Sequence, residues 1–103
     1  MQELIDKVQE LVVFELARAN TIHPPKFNSM HEAYAVILEE CEEAKEAFGA
    51  AEWRRDLAWD SIKHDEDPDG FLEATEKAAI AAASEMIQVA AMCRKAREGE
   101  DLE

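Results

Sequence analysis

The sequence is poor in cysteine, glycine and proline, the residues that mark disulfide-bonded or turn-rich folds. Its 103 residues include two cysteines, three glycines and three prolines. No CxxC pair, the usual spacing of a structural zinc site, is present. Each cysteine lies in an apolar helical pattern, so we expect reduced thiols in the core of a cytoplasmic protein. The first twenty residues carry acidic side chains throughout, unlike a secretory signal.

Positive charge is scarce as well. Eleven lysines and arginines stand against 24 aspartates and glutamates, so the formal net charge is −13. Non-specific binding to a nucleic acid polymer or to an anionic membrane needs a basic surface, and we therefore expect neither partner. No apolar run free of charge reaches transmembrane length. The excess of carboxylates suits either a solvated acidic surface or the binding of divalent cations.

Strand signals are absent, since no stretch sustains an alternation of apolar and polar residues and Ala, Glu, Leu and Lys dominate. Glycines and prolines fall between periodic segments, which indicates helices joined by short loops. We therefore expect one all-α domain over residues 1–103. About four helices are predicted: Gln2 to Ala19, Ser29 to Phe48, Glu52 to Lys63, and Phe71 to Arg97.

The ends of the predicted helices carry recognisable signals. Ser29 followed by Glu32 is a capping-box pattern, which starts the second helix. Gly49 is the type of residue that commonly ends a helix. Asp67 before Pro68 is a capping pattern for the last helix.

Apolar residues at helical spacing predict which faces form the core. Val13 and Phe14 lie outside the apolar stripe of the first helix. They are either part of a subunit interface or an ordinary exposed pair. The stripe of the first helix comprises Leu4, Ile5, Val8, Leu11, Val12 and Leu16. The stripe of the second helix comprises Tyr34, Ile37, Cys41, Ala44 and Phe48.

Two carboxylates of the second helix lie on the flank of its predicted core stripe. Side chains three residues apart are neighbours on a helix, so Glu40 and Glu43 can converge on one cation. A solvated acidic face is the alternative interpretation. The flank is otherwise small and apolar, with Ala33, Val36 and Ala47.

The predicted last helix has a long apolar segment that contains a single carboxylate. Glu85 is the only charged residue between Ala78 and Cys93, and a helix that is apolar all round is typically buried. A buried carboxylate is costly unless it is paired, protonated or bound to a metal. Gln88, three residues on, supplies a second oxygen on the same face. Hydrogen bonding of Glu85 to Gln88, Ser84 or a core tyrosine is the alternative.

Packed antiparallel, these two helices would bring the two oxygen pairs to one hard-cation site. Three carboxylates suit Mg²⁺ or Mn²⁺, which retain waters and share phosphate oxygens as ligands. A di-iron site of the helical-bundle type needs a Glu-x-x-His pattern. None of the three histidines has a glutamate three residues before it, which excludes that site.

These motifs resemble those of the all-α nucleoside triphosphate pyrophosphohydrolases, the superfamily of MazG, the dimeric dUTPases and phosphoribosyl-ATP pyrophosphohydrolase. HEAYAVILEECEEAKEA, residues 31–47, looks like the first-motif helix of small MazG-like proteins. SEMIQVAAMCRKA, residues 84–96, looks like their second-motif helix. Together with the first helix, the resemblance covers most of the chain. It implies a MazG-like helical bundle that forms a dimer or a tetramer of paired dimers.

The resemblance also implies the roles of individual residues. Glu40, Glu43 and Glu85 fall on metal-ligand positions, and Glu39 is the extra acid that precedes them, with Glu39 and Glu40 serving catalysis. Gln88 falls on a ligand position where the family has aspartate, and a neutral amide binds Mg²⁺ more weakly. The implied reaction is Mg²⁺-dependent cleavage of a nucleoside or deoxynucleoside triphosphate to the monophosphate and pyrophosphate. A catalytically weak or inactive nucleotide- or metal-binding relative is the alternative, as is a purely structural bundle. Phosphate-binding candidates are Lys26, Arg54, Arg55, Lys63, Arg94 and Lys95.

Overall fold

The computed structural model describes residues 1–100, the last of them by its backbone alone. Within that range all regular secondary structure is α-helical, with no strand, which confirms the all-α class. The final three residues of the predicted 1–103 domain lie outside the described range. The three helices are α1 (Gln2–Ile22), α2 (Met30–Lys63) and α3 (Asp69–Glu100).

The helices contribute to two compact units. The first unit contains Met1–Cys41 and the chain from Met86 onward, so it combines α1 with the start of α2 and the second half of α3. The second unit, Glu42–Glu85, combines the rest of α2 with the first half of α3. The turn between Lys63 and Asp69 joins these two helical segments.

The predicted capping box is present at the start of α2. The Ser29 hydroxyl accepts a hydrogen bond from the Glu32 backbone N–H at 3.1 Å. The Glu32 carboxylate accepts hydrogen bonds from the backbone N–H and side-chain amide of Asn28, at 3.1 and 3.0 Å. The motif therefore satisfies a free N–H of the first turn and fixes the loop that leads into it.

The predicted break at Gly49 is wrong, because α2 continues through it for 34 residues. No glycine in the described residues has a positive φ, so Gly49 does not adopt the left-handed conformation of a helix end. A glycine inside a helix costs only about 1 kcal/mol relative to alanine. The helix formers on both sides, in KEAFGAAEWRR, offset that cost. The second and third predicted helices are consequently one element.

The end of α2 is fixed by a residue that the sequence analysis did not single out. Asp65 has a φ of 56°, the left-handed conformation. The backbone N–H of Asp65 donates to the Ile62 carbonyl at 3.2 Å, and that of Glu66 donates to the Ser61 carbonyl at 2.9 Å. This pair of bonds is a Schellman motif. Two residues on, the Asp67 carboxylate accepts from the Asp69 N–H at 3.0 Å, as its capping pattern predicted.

Replacing Asp65 with glycine is expected to stabilise the protein by about 1 kcal/mol, since glycine adopts the left-handed conformation without strain. Removing a negative charge from a helix C-terminus adds to the gain. Urea unfolding of the parent and of Asp65→Gly measures the difference. Asp65→Asn is the matched control, because it removes the charge and keeps the branched side chain. Equal gains in the two variants would show that charge, and not backbone strain, is the cause.

The core of the first unit is small. Val12 and Ala19 of α1 pack with Ala91 and Met92 of α3. Only the end of the predicted α1 stripe takes part, because Leu4, Ile5, Val8 and Leu11 are all exposed, contrary to the prediction. Among the described residues of this unit, no helical segment covers these side chains. Partly buried residues around this core are Leu16, Phe27, Val36, Ile37 and Ile87.

The predicted core stripe of α2 is confirmed in part: Ala44 is buried and Ile37 is half-buried, whereas its other three residues are exposed. Tyr34 and Phe48 remain 66% and 59% exposed, and Cys41 is also exposed. In the first unit the helix instead buries Ala33, on the flank that carries Glu40. Small side chains on this flank allow close approach of a neighbouring helix, whereas the larger ones point outward. Both cysteines are free thiols as expected, but Cys93 is only half-buried.

None of the helices in the described part of the chain combines the length and the apolar character needed to cross a bilayer.

Candidate metal centre

The structure brings together three of the residues that the sequence analysis assigned as metal ligands. Glu40 and Glu43 lie one turn apart on the continuous helix α2, and Glu85 lies on α3. Each offers a carboxylate oxygen, and these oxygens all lie within 4.8 Å of one another. We call these three residues the acidic cluster.

Glu43 and Glu85 of the second unit are joined directly by a side-chain hydrogen bond. Loss of hydration raises the pKa of Glu43, and the hydrogen bond and negative charge of Glu85 raise it further, with a smaller effect from Glu46. Glu43 is therefore a carboxylate whose negative charge either a proton or a bound cation would offset.

The donor set of the acidic cluster fits a hard divalent cation. All three donors are carboxylate oxygens, without the sulfur or imidazole groups that favour zinc or copper. The three oxygens, within 4.8 Å of one another, are close enough to be candidate ligands of one ion. The same oxygens also suit Mn²⁺ or Ca²⁺.

The burial of Glu85 is less complete than the sequence predicted. Within a single chain Glu85 and Glu40 are half-buried, while Glu43 is exposed. The apolar residues Ile80 and Met86 on α3 are also exposed. One chain therefore leaves part of this all-round apolar helix uncovered.

Gln88 has a partner that the sequence analysis missed. Its side-chain amide hydrogen-bonds to the carboxylate of Glu15 on α1. Arg18 donates two further bonds to Glu15, both at 2.7 Å. Hydrogen bonding to Arg18 lowers the pKa of Glu15, against a smaller opposing effect of burial, and the bond from Gln88 lowers it too. All three residues belong to the first unit.

Helical spacing contains the signal that would have identified Glu15. It lies three residues after Val12 and four before Ala19, which are the two buried residues of α1. A carboxylate on that stripe is the same kind of signal that identified Glu85. The predicted stripe through Leu4, Val8 and Leu11 reaches Glu15 at its next turn.

The other candidate residues are distributed along the helices. Glu39 is exposed and does not belong to the acidic cluster. On α2, Arg54 and Lys63 follow Glu43 by roughly 16 and 30 Å of helix, farther than a side chain reaches. Arg54 lies over the Trp53 ring at 5.6 Å, and Lys63 lies over Trp59 at 5.9 Å.

The remaining basic candidates differ in their surroundings. Arg55 is paired with Asp56 at 3.0 Å, whereas Arg94 is half-buried on α3. Lys26 and Lys95 line one cavity of the first unit. Within the first unit, Lys26 and Lys95 are therefore two candidates that share a cavity.

Comparison with known proteins returned no match: no family model, no curated protein and no solved structure is similar to this chain. The functional interpretation consequently depends on the residues themselves and on the resemblance of their motifs.

Proposed function

We propose that this chain is a MazG-like nucleotide pyrophosphohydrolase that uses Mg²⁺, or Mn²⁺, held by the acidic cluster. The substrate would be a nucleoside or deoxynucleoside triphosphate. The single observation that carries the proposal is the convergence of Glu40, Glu43 and Glu85 within 4.8 Å. Three carboxylates from two helices supply the negative charge that a divalent cation and its phosphate ligands require.

The chain's own residues have separable roles in this proposal. Glu40, Glu43 and Glu85 hold the cation, which when bound neutralises phosphate charge and makes a water more acidic. Glu39 and Glu40 would orient that water for attack at the α-phosphorus and accept its proton. The bond from the α-phosphorus to the bridging oxygen then breaks, which releases pyrophosphate and leaves a nucleoside monophosphate.

A second candidate function is metal or nucleotide binding without catalysis. Gln88 favours it, because the fourth ligand position is neutral and its amide already bonds to Glu15. A third candidate is a structural bundle in which Glu85 is paired with Glu43, as their hydrogen bond allows. The third candidate predicts that Mg²⁺ leaves the melting temperature unchanged, whereas a metal site in the folded state predicts that Mg²⁺ raises it.

Self-association as a dimer or a tetramer belongs to the same proposal. In the first unit α1 leaves Leu4, Val8 and Leu11 exposed along one stripe. In the second unit Trp53 and Trp59 are exposed. Apolar residues aligned in this way commonly mark contacts between subunits. Light scattering coupled to size-exclusion chromatography gives the mass in solution, and a monomer at micromolar concentration would refute this part.

The direct test of the enzymatic proposal is a substrate panel. Purified protein is incubated with Mg²⁺ or Mn²⁺ and each of the common ribo- and deoxynucleoside triphosphates, and pyrophosphate release is measured. Glu40→Gln, which retains the shape of the side chain and removes its charge, is the control. Release that the control loses would support the hydrolase. Silence across the panel with a metal-dependent rise in melting temperature would favour the non-catalytic binding protein.

A further inference from the structure

The first unit contains a cavity whose volume is about 380 Å³, within the range of small-molecule sites. It lies where the loop after α1 meets the start of α2 and the end of α3. Its apolar wall includes Phe27, Val36 and Met92. The rest of the lining consists of polar groups and a proline: His23, Pro24, Lys26, Asn28, Glu32 and Lys95.

Lys95 is the unusual residue of this cavity. The residue is only 5% exposed, although lysine is rarely buried without a carboxylate partner. The ammonium lies 4.6 Å from the centre of the Phe27 ring, a cation–π contact. Among the described residues, no oxygen forms a hydrogen bond or ion pair with it. An ammonium without an oxygen partner, at the end of a side chain that is largely enclosed, keeps its donors available to an anion in the cavity.

The other charged groups of the cavity are compatible with an anion. Lys26 supplies a second positive charge from the loop. Glu32 is the one carboxylate in the lining, and both its oxygens accept hydrogen bonds from Asn28, at 3.1 and 3.0 Å. The net charge of the chain is −13, so a cavity lined by two lysines is unusually rich in positive charge for this protein.

We propose that this cavity binds a small phosphate-bearing molecule, with the phosphate on Lys95 and Lys26 and an apolar part against Phe27, Val36 and Met92. Two ammonium groups suit an anion with several acceptor oxygens and up to two charges, which favours a phosphate over a carboxylate. The apolar wall would contribute affinity that free phosphate cannot use.

This binding does not depend on the metal centre. Lys95 follows Gln88 by seven residues, so it lies on the same face of α3 about 10 Å farther along the helix. Charge is supplied by lysines and not by a cation. Binding is therefore expected in EDTA and in Glu40→Gln, which separates this proposal from the proposed hydrolase activity.

Isothermal titration in EDTA, with phenyl phosphate as the probe, tests the proposal. Inorganic phosphate and phenol each lack one half of the probe, and benzoate replaces the phosphate with a carboxylate. We expect phenyl phosphate to bind tightest. Lys95→Met, which keeps the aliphatic stem, should weaken it at least about tenfold. Lys7→Met is the matched control, because Lys7 is an exposed lysine of α1.

Lys95→Met is expected to melt at the same or a higher temperature than the parent, since it removes a buried charge. Lys26→Met, in the exposed loop, should also weaken binding and serves as a second variant. The proposal would be overturned if the parent did not bind phenyl phosphate, or if Lys95→Met bound it as tightly as the parent. It would also be overturned if the parent did not bind the probe and Lys95→Met changed the oligomeric state. The last would assign Lys95 to a carboxylate of a second copy.

Discussion

Replacing Glu85 with glutamine is expected to weaken Mg²⁺ binding by about 100-fold while leaving the fold intact. Changes in groups that only orient a metal ligand already cost 10- to 100-fold in affinity, and Glu85 is proposed as a direct ligand. Pyrophosphate release should fall by at least about the same factor at subsaturating metal. Titration with Mg²⁺, followed by melting temperature and by pyrophosphate release, measures both effects.

The same substitution should have the opposite effect on the metal-free protein. The pKa of Glu43 is raised in the folded chain, so its ionisation costs stability as the pH rises through the ordinary carboxyl range. Glutamine at position 85 removes a neighbouring charge and can donate a hydrogen bond to the Glu43 carboxylate. Both changes lower the pKa of Glu43 toward its ordinary value. The metal-free variant should therefore be at least as stable as the parent at neutral pH.

Glu76→Gln is the matched control for this experiment. Glu76 is an exposed glutamate of the same helix α3 and lies outside the acidic cluster. Its replacement should leave Mg²⁺ binding, activity and the pKa of Glu43 unchanged. Normal metal binding by Glu85→Gln, or unfolding of that variant, would contradict the assignment of Glu85 as a ligand.

Replacing Gln88 with aspartate is expected to strengthen Mg²⁺ binding about tenfold and to raise the rate of pyrophosphate release. The substitution supplies a fourth carboxylate at the position that the proposed resemblance to MazG-like proteins assigns to a metal ligand. Without metal it should cost about 1 kcal/mol of folding stability, because it removes the amide that donates to Glu15 and places a like charge near it. Unfolding by urea without Mg²⁺ measures the loss of folding stability, and unfolding with Mg²⁺ measures the gain from tighter metal binding.

Gln88→Asn separates charge from side-chain length in this test, because asparagine has the shape of aspartate and no charge. It should lose the contact with Glu15 without any gain in metal affinity. Adding Glu15→Gln to Gln88→Asp should restore part of the metal-free stability by removing the repulsion. If Gln88→Asp and Gln88→Asn bind Mg²⁺ equally, position 88 is not a ligand position.

Local signals in the sequence were sufficient for the starts of α2 and α3, where side chains cap the backbone N–H groups of near neighbours. Ser29, Glu32 and Asp67 all form the caps that their spacing predicted. Gly49 does not end the helix, because one glycine destabilises a helix by only about 1 kcal/mol. The summed helix propensity of its neighbours is larger than that cost. Asp65 was missed because aspartate is an uncommon residue for the left-handed position.

The candidate site was predictable to the extent that it depends on helical spacing. Glu40 and Glu43 are neighbours on any helix, and Glu85 was exceptional among apolar residues. The bond from Gln88 to Glu15 requires α1 and α3 to meet at a particular register, which no local pattern encodes. The exposure of Tyr34 and Phe48 was likewise unpredictable, because periodicity identifies an apolar face without saying what covers it.

The interior of this chain is made largely of alanine, with Ala19, Ala33, Ala44, Ala58, Ala91 and Ala96 among its few buried apolar residues. An alanine methyl removes little apolar surface from water, so each such position adds little to the free energy of folding. Under the proposed self-association, a lone copy would spend more time unfolded than an assembled one. Proteases in the cell act on the unfolded fraction. The amount of this protein would then be set by how readily newly made copies meet, and surplus copies would be degraded.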